Sequence, residues 1–233
     1  MAFIHRTTMS PGKLELLTGW LPKQSWYAGT GGTPDLVNAG GFRLDDPEGA
    51  VGIEFMVVVD SAGPEPVAYL VPLGYRDAAL ESVPEEALIG TSEHGVLGTR
   101  WVYDGAHDPV VLAQLSALLR GEADPQQQSV SDTPDPTVTV HGAGGDGEPG
   151  VRINRVLRAG EDEQPSSAHL VAGWTRPDGT AARGVFAVVA PRSDPYAYGP
   201  RRSRRGPYKR RCTKGCYGRL RAITMRWTWF VPS

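Results

Sequence analysis

Val51, Ile53, Phe55, Val57 and Val59 are apolar at every second position, and Val67, Tyr69, Val71, Leu73 and Tyr75 repeat the pattern after a break. A period of two is the repeat of a strand, whose successive side chains leave opposite faces. The break contains Gly63, Pro64 and Pro66, residues that set turns. Two such runs joined by a turn predict an antiparallel hairpin with one buried face, with Glu54 and Asp60 among the alternates. Pro72 has no N–H to give to a ladder, so the second strand is expected to lie at an edge there.

The rest of the chain must cover that sheet. Ser10 and Pro11 read as a helix start, and Leu14, Leu17 and Leu21 follow at helical spacing until Pro22 stops the run. Residues 100–103 read as a further strand, with Trp101 and Tyr103 on one face. Asp108 and Pro109 open a second helix. Its stripe is Val111, Leu112, Leu115, Leu118 and Leu119, and Gly121 ends it. Residues 124–150 are rich in Gln, Pro and Gly and bury little apolar surface, apart from a brief β segment at 137–140. Strand candidates return at 151–157, 169–174 and 183–189, with a turn at Pro177, Asp178 and Gly179 between the last two.

This order predicts an α+β fold, an antiparallel sheet with a packed helix and then a smaller β-rich segment, and not a doubly wound one. The expected division is an α+β domain over residues 1–122, a flexible linker over 123–150, a short β-rich segment over 151–190 and a basic tail over 191–233. The charge supports a separate tail. Residues 1–190 hold 12 Lys/Arg against 25 Asp/Glu, and residues 191–233 hold 12 basic residues against the single acid Asp194. Both cysteines, Cys212 and Cys216, lie in the tail, so a disulfide framework is not what holds the body. The first residues are too polar for a signal peptide and no apolar run reaches membrane-spanning length, which makes the cytoplasm the expected compartment.

Trp20, Pro22, Trp26 and Tyr27 stand at the mouth of a glycine-rich loop that begins at Gly29. This block resembles the opening of bacterial maltokinases, in which a small N-terminal cap domain precedes the kinase lobes. The hairpin from Gly52 to Tyr75 extends the resemblance, as do residues 87–91 and residues 101–104 with the helix after them. The resemblance implies a cystatin-like fold, a curved antiparallel sheet embracing a helix. The chain is also similar to short stand-alone actinobacterial cap proteins labelled as glucan-branching or cap-like. In the family, catalysis belongs to the downstream lobes. A kinase of that type needs a strand lysine, a catalytic-loop aspartate and metal-binding side chains. Residues 141–146 match a His-Gly-Asp loop only with insertions, and residues 151–156 contain no lysine.

The binding candidates are Trp20, Trp26, Tyr27, Trp101 and Tyr103, whose rings suit the C–H faces of a sugar or, equally, a core corner. The corner reading is preferred for the first three. The catalytic candidates are Glu93, His94, His107 and Asp108, the places where polar catalytic types crowd. Asp108 reads better as a helix cap and His94 as a turn residue, because sequence neighbours on a strand leave opposite faces. Residues 29–33 lack the lysine and hydroxyl of a phosphate loop. The five histidines are scattered, so neither a metal nor a cofactor is expected.

The expected function is that of a non-catalytic cap-like protein. By resemblance it belongs with maltose, trehalose or α-glucan metabolism, with a sugar kinase, an α-glucan enzyme or maltodextrin as partner. A small sugar-acting enzyme using Glu93, His94 and His107 is one alternative. Nucleic-acid binding by the tail ranks last, behind a disordered extension and a shifted reading frame.

Overall fold

The computed structural model describes residues 8–29, 32–81, 83–142, 150–160 and 168–190. The expectations for the tail, residues 191–233, lie outside the described residues, as do those for residues 143–149. In chain order the elements are β1 (Met9–Ser10), α1 (Lys13–Trp20), β2 (Leu36–Leu44), β3 (Gly52–Asp60) and β4 (Val67–Arg76). Then come β5 (Leu88–His94), β6 (Gly98–Asp104), α2 (Pro109–Leu119), β7 (Gln126–Gln127) and β8 (Thr139–His141). The last are β9 (Gly150–Ile153), β10 (Val156–Leu157), β11 (His169–Thr175) and β12 (Ala181–Ala190).

The first sheet has the order β1-β5-β6-β4-β3-β2-β7, with β10 also pairing β4. Its pairings are antiparallel, and it curls into a half-barrel. The second sheet has the order β8-β11-β12-β9 and is also antiparallel. The fold is therefore mixed α+β and mostly β, as the alternating runs imply.

The hairpin of β3 and β4 forms as expected, and its register sets Phe55 opposite Pro72. Two details differ from expectation. β3 is buried on both faces, not one. Ile53, Phe55, Val57 and Val59 join one cluster with Val111, Leu115, Leu118 and Leu119 of α2. Met56 and Val58 join the other, with Leu17, Trp20 and Leu21. Pro72 also lies on an inner strand, not an edge one. β10 pairs with β4 at Ala68 and Tyr69, and β6 pairs from Leu73 onward, so the missing N–H falls in the gap between them.

α1 starts later than the Ser10–Pro11 pair suggests. Gly12 is its N-cap, and its N–H donates to the Glu15 carboxylate at 3.3 Å. Ser10 lies instead in β1, opposite Glu93. α2 begins as expected at Asp108, and Gly121 takes a positive φ of 76° just beyond its end.

β2 has no counterpart among the sequence expectations, because Asn38, Gly40 and Gly41 interrupt its alternation. The structure shows why they are there. A bulge lies between Asn38 and Gly40, and Gly41 has φ of 134°. A Cβ on Gly41 would strike the Phe55 carbonyl on β3. The bulge bends β2 at the place where Gly40 approaches the backbone of Gly173 and Trp174 in the second sheet.

One apolar cluster runs through both sheets. Phe42 and Phe55 stack at 4.7 Å, Phe186 of β12 lies 6.4 Å from Phe42, and Trp174 of β11 lies 6.2 Å from Phe186. Leu170, Trp174, Phe186 and the α2 leucines belong to the same cluster. The segment between α2 and β9 contributes too: β7 pairs with Phe42 and Arg43, and β8 pairs with β11.

Candidate functional site

Acids ordinarily lie on a protein's surface, so a buried one needs a partner. Among the described residues five are buried: Asp46, Glu54, Asp60, Asp104 and Asp108. Asp108 is fully buried and accepts from Arg76 through Nε at 2.7 Å and Nη2 at 2.8 Å. The same carboxylate accepts from the backbone N–H groups of Val110 at 2.9 Å and Val111 at 3.4 Å, so it also caps α2. The Asp108 bond lifts the Arg76 guanidinium further above its ordinary value. Asp104, four residues earlier, accepts from Arg155 Nη2 at 2.8 and 2.6 Å. Arg155 in turn lies over the Trp26 ring at 5.1 Å.

Glu54 is the centre of a second group. It accepts from Lys13 Nζ at 2.7 Å, Tyr75 Oη at 2.6 Å and Gln128 Nε2 at 2.9 Å. It therefore ties α1, β4 and the segment after β7 to the first part of β3. Asp60 accepts from Tyr27 Oη at 2.7 Å and from the N–H groups of Asp35 and Ala62, both at 3.0 Å. In the sequence both acids sit at strand alternates, which reads as a solvent face. α1 and the aromatic corner cover that face instead. Glu54→Gln keeps the shape but removes the charge that Lys13 faces. The expected loss is about 2 kcal/mol of stability, read as a lowered urea midpoint, the scale of a hydrogen bond to a charged group. An unchanged midpoint would remove Glu54 from the stabilising set.

The two phenols bonded to these acids are held protonated. Burial pushes the Tyr27 hydroxyl up, and the Asp60 bond adds to it. Burial also pushes Tyr75 well up, with the Glu54 charge next. The folded chain then keeps protons that the unfolded chain releases from about pH 10 upward, so stability falls as pH rises past that value. Thermal melts from about pH 9 to 11.5 should steepen downward above pH 10, and more gently in Tyr75→Phe. Equal slopes in both proteins would contradict the assignment.

The candidates of the sequence do not converge. Ser92 is buried and donates to the Pro11 carbonyl at 2.8 Å. Glu93 is exposed and accepts from Thr99 Oγ1 at 2.7 Å. His94 Nδ1 accepts from the N–H groups of Val96 and Leu97 at 3.3 and 3.0 Å, closing the β5–β6 turn. His107 and Asp108 follow the far end of β6, where His107 Nε2 is 3.9 Å from Asp104 Oδ2. Six strand steps, roughly 20 Å, separate the two pairs.

The aromatics divide likewise. Trp20 donates from Nε1 to the Glu86 carbonyl at 2.9 Å and meets Trp26 edge-on at 5.8 Å. Trp26 and Tyr27 both pack on Tyr69, at 6.0 and 5.6 Å. These rings form a core corner beside α1. Trp101 and Tyr103 alternate with Val102, which packs with Trp20, so they leave the opposite face of β6. Tyr103 Oη accepts from the Leu80 N–H at 2.9 Å. Among the described residues, no group of three or more His, Cys, Asp or Glu is gathered to hold a metal ion.

Sequence reasoning missed Arg76, Arg155, Tyr69 and Gln128, the partners that fix these acids and rings. No local signal marks Arg155, which lies far along the chain from both Asp104 and Trp26.

Residues 20–108 match the profile of the maltokinase N-terminal cap domain. The match runs from the last residue of α1 to the N-cap of α2, and contains the tryptophan block, the hairpin, residues 87–91 and residues 101–104 on which the sequence resemblance rests, without the helix that follows them. α2 and the whole second sheet lie beyond it. No curated protein matches the chain.

Proposed function

We propose that the chain is a non-catalytic cap-like protein that acts in maltose, trehalose or α-glucan metabolism by contact with a sugar kinase or an α-glucan enzyme. The observation that carries this reading is the cap match over residues 20–108. The geometry supports it: the acids and rings that look catalytic are tied into bonds between elements. Glu93 and His94 lie a strand length from His107 and Asp108, which leaves the enzyme alternative without an assembled site. Among the described residues no helix is long and apolar enough to cross a membrane. The cytoplasm, where the sugar kinases of this family work, is the compartment that fits the proposal.

Two measurements test it. The purified chain, immobilised and exposed to extract of its source cell, should retain a sugar kinase or α-glucan enzyme identified by mass spectrometry. Retention of neither would overturn the proposal. Incubation with maltose and ATP should give no phosphosugar, and phosphosugar formation by the pure folded chain would restore the enzyme reading. A maltodextrin titration should leave tryptophan emission unchanged, because Trp20 and Trp26 are packed into the corner. A saturable shift would instead make the aromatics a sugar site.

A further inference from the structure

Among the described residues five large apolar side chains are exposed, and three of them, Leu88, Val96 and Leu97, belong to the β5–β6 hairpin. Val96 and Leu97 form its tip, and Val96 is the most open of the five at 62%. The tip is closed on itself. The Val96 and Leu97 N–H groups donate to His94 Nδ1, the Gly95 N–H donates to the Thr8 carbonyl at 3.1 Å, and Arg100 Nη2 donates to the Leu97 carbonyl at 2.7 Å. Covering the tip would neither strand these groups nor order new chain, two costs that usually erode a contact.

One face of the hairpin continues from the tip. Thr91 stands opposite Trp101, and Leu88 opposite Tyr103. Directly opposed residues share a face, and this one is turned away from the α1 side, where Val102 packs. α2 covers the same side of the sheet at β4, where a Cβ on Gly74, opposite Tyr103, would meet Asp108 and Val111. Farther out, Leu88 and Thr91 are exposed and Trp101 is half-buried. A half-buried tryptophan flanked by exposed apolar side chains on a preorganised hairpin has the make-up of a binding anchor.

We propose that this outer face of the β5–β6 hairpin, with the Val96 and Leu97 tip, is where the sugar kinase or α-glucan enzyme of the function proposed above docks, through an apolar patch rimmed by a basic side chain. The inference rests on that function and names where its contact is made. Charge sets the rim. Glu93, opposite Thr99, is an exposed acid of this face, and Arg76, opposite Trp101, is already tied to the buried Asp108. A second copy would bring its Glu93 to a face whose cation is taken, so a cationic rim on a different protein is the better complement. The area agrees. β5 and β6 have seven residues each. At the usual rise and spacing their shared face measures about 23 by 10 Å, on the order of 230 Å2. A standard stable interface takes about 800 Å2 from each partner, so this face suits a transient enzyme contact and not a standing dimer.

The test immobilises the full chain in extract of its source cell, beside the variants Thr91→Arg and Leu97→Arg. Both positions are exposed, so both variants should melt with the parent. The parent should retain a sugar kinase or α-glucan enzyme identified by mass spectrometry, and each variant should retain it about tenfold less, the scale of a disrupted hot spot. Val130→Arg changes an exposed apolar residue that follows β7, at the far edge of the first sheet, and should retain the enzyme like the parent. Equal retention by the parent, Thr91→Arg and Leu97→Arg would overturn the docking face and leave the proposed function standing. Loss in all three variants alike would also overturn it, because the effect would have no place on the surface. Retention by none of the four proteins would overturn both. The pure chain should sediment as a monomer at micromolar concentration, and a dimer split by Leu97→Arg would give the face to a second copy and overturn the proposal.

Discussion

A chain ending at Glu122 is expected to lose the native fold, although it contains the whole matched segment. The apolar cluster under β3 is completed from the second sheet, by Leu170, Trp174 and Phe186. Without them Phe42 and Phe55 lose their cover, at roughly 2–5 kcal/mol for each large side chain so deprived. The polar loss is as large. Arg155 is the countercharge of Asp104, which is 2% exposed, and its carbonyl accepts the Leu70 N–H at 2.9 Å. Removing one member of a buried pair costs about 3–5 kcal/mol. Together these losses reach the 5–15 kcal/mol by which a domain is ordinarily stable. The 1–122 fragment should therefore bind a hydrophobic dye and lack near-ultraviolet dichroism and a cooperative melt, whereas the 1–190 fragment should keep all three native signatures. A sharp native-like melt of the shorter fragment would refute the shared core.

The second large effect is expected at Asp108. Asp108→Ala strips the bidentate partner from Arg76, whose side chain is 18% exposed, and uncaps α2 in one change. The loss should be about 4 kcal/mol, mostly from the stranded guanidinium with about 1 from the cap. For a body of this size that lowers Tm by roughly 10 °C. Asp108→Asn keeps a good capping side chain and an acceptor for Arg76, and should lose less. Gly74→Ala is a control on the same spot, because its Cβ would stand 2.6 Å from Asp108 Oδ2 and push the carboxylate from Arg76. If Asp108→Ala melts within a degree or two of the parent, the carboxylate is not holding the corner.

The elements that could be read from sequence are those whose signals are local. α2 carries cap, proline, stripe and glycine stop within one stretch. The β3–β4 hairpin carries its period and its turn. β2 and β5 could not be read in this way, because their partners justify their irregularities. Gly41 makes sense only against Phe55, and the shift between Leu88 and Gly90 only against β6. Pro72 reads as an edge residue until β10 and β6 are seen to leave a gap at that point. The candidate site was half legible for the same reason. Trp20, Trp26 and Tyr27 announce a corner by their crowding. Its polar half depends on Lys13, Arg76, Arg155 and Gln128, which reach acids 32 to 74 residues away in the chain. Residue types alone made Asp108 a candidate for chemistry, and its four donors make it a joint.

One apolar core joins the two sheets into one body, and the buried acids tie the helices and strands of the first sheet around it. Native-state hydrogen exchange measures that most directly. The amides of Val57 in β3 and of Leu170 and Phe186 in the second sheet should exchange with one common free energy, equal to that of global unfolding, and all three should drop together in Asp108→Ala. Exchange of Leu170 and Phe186 at a much lower free energy, with Val57 still fully protected, would show the second sheet opening alone and would contradict the account.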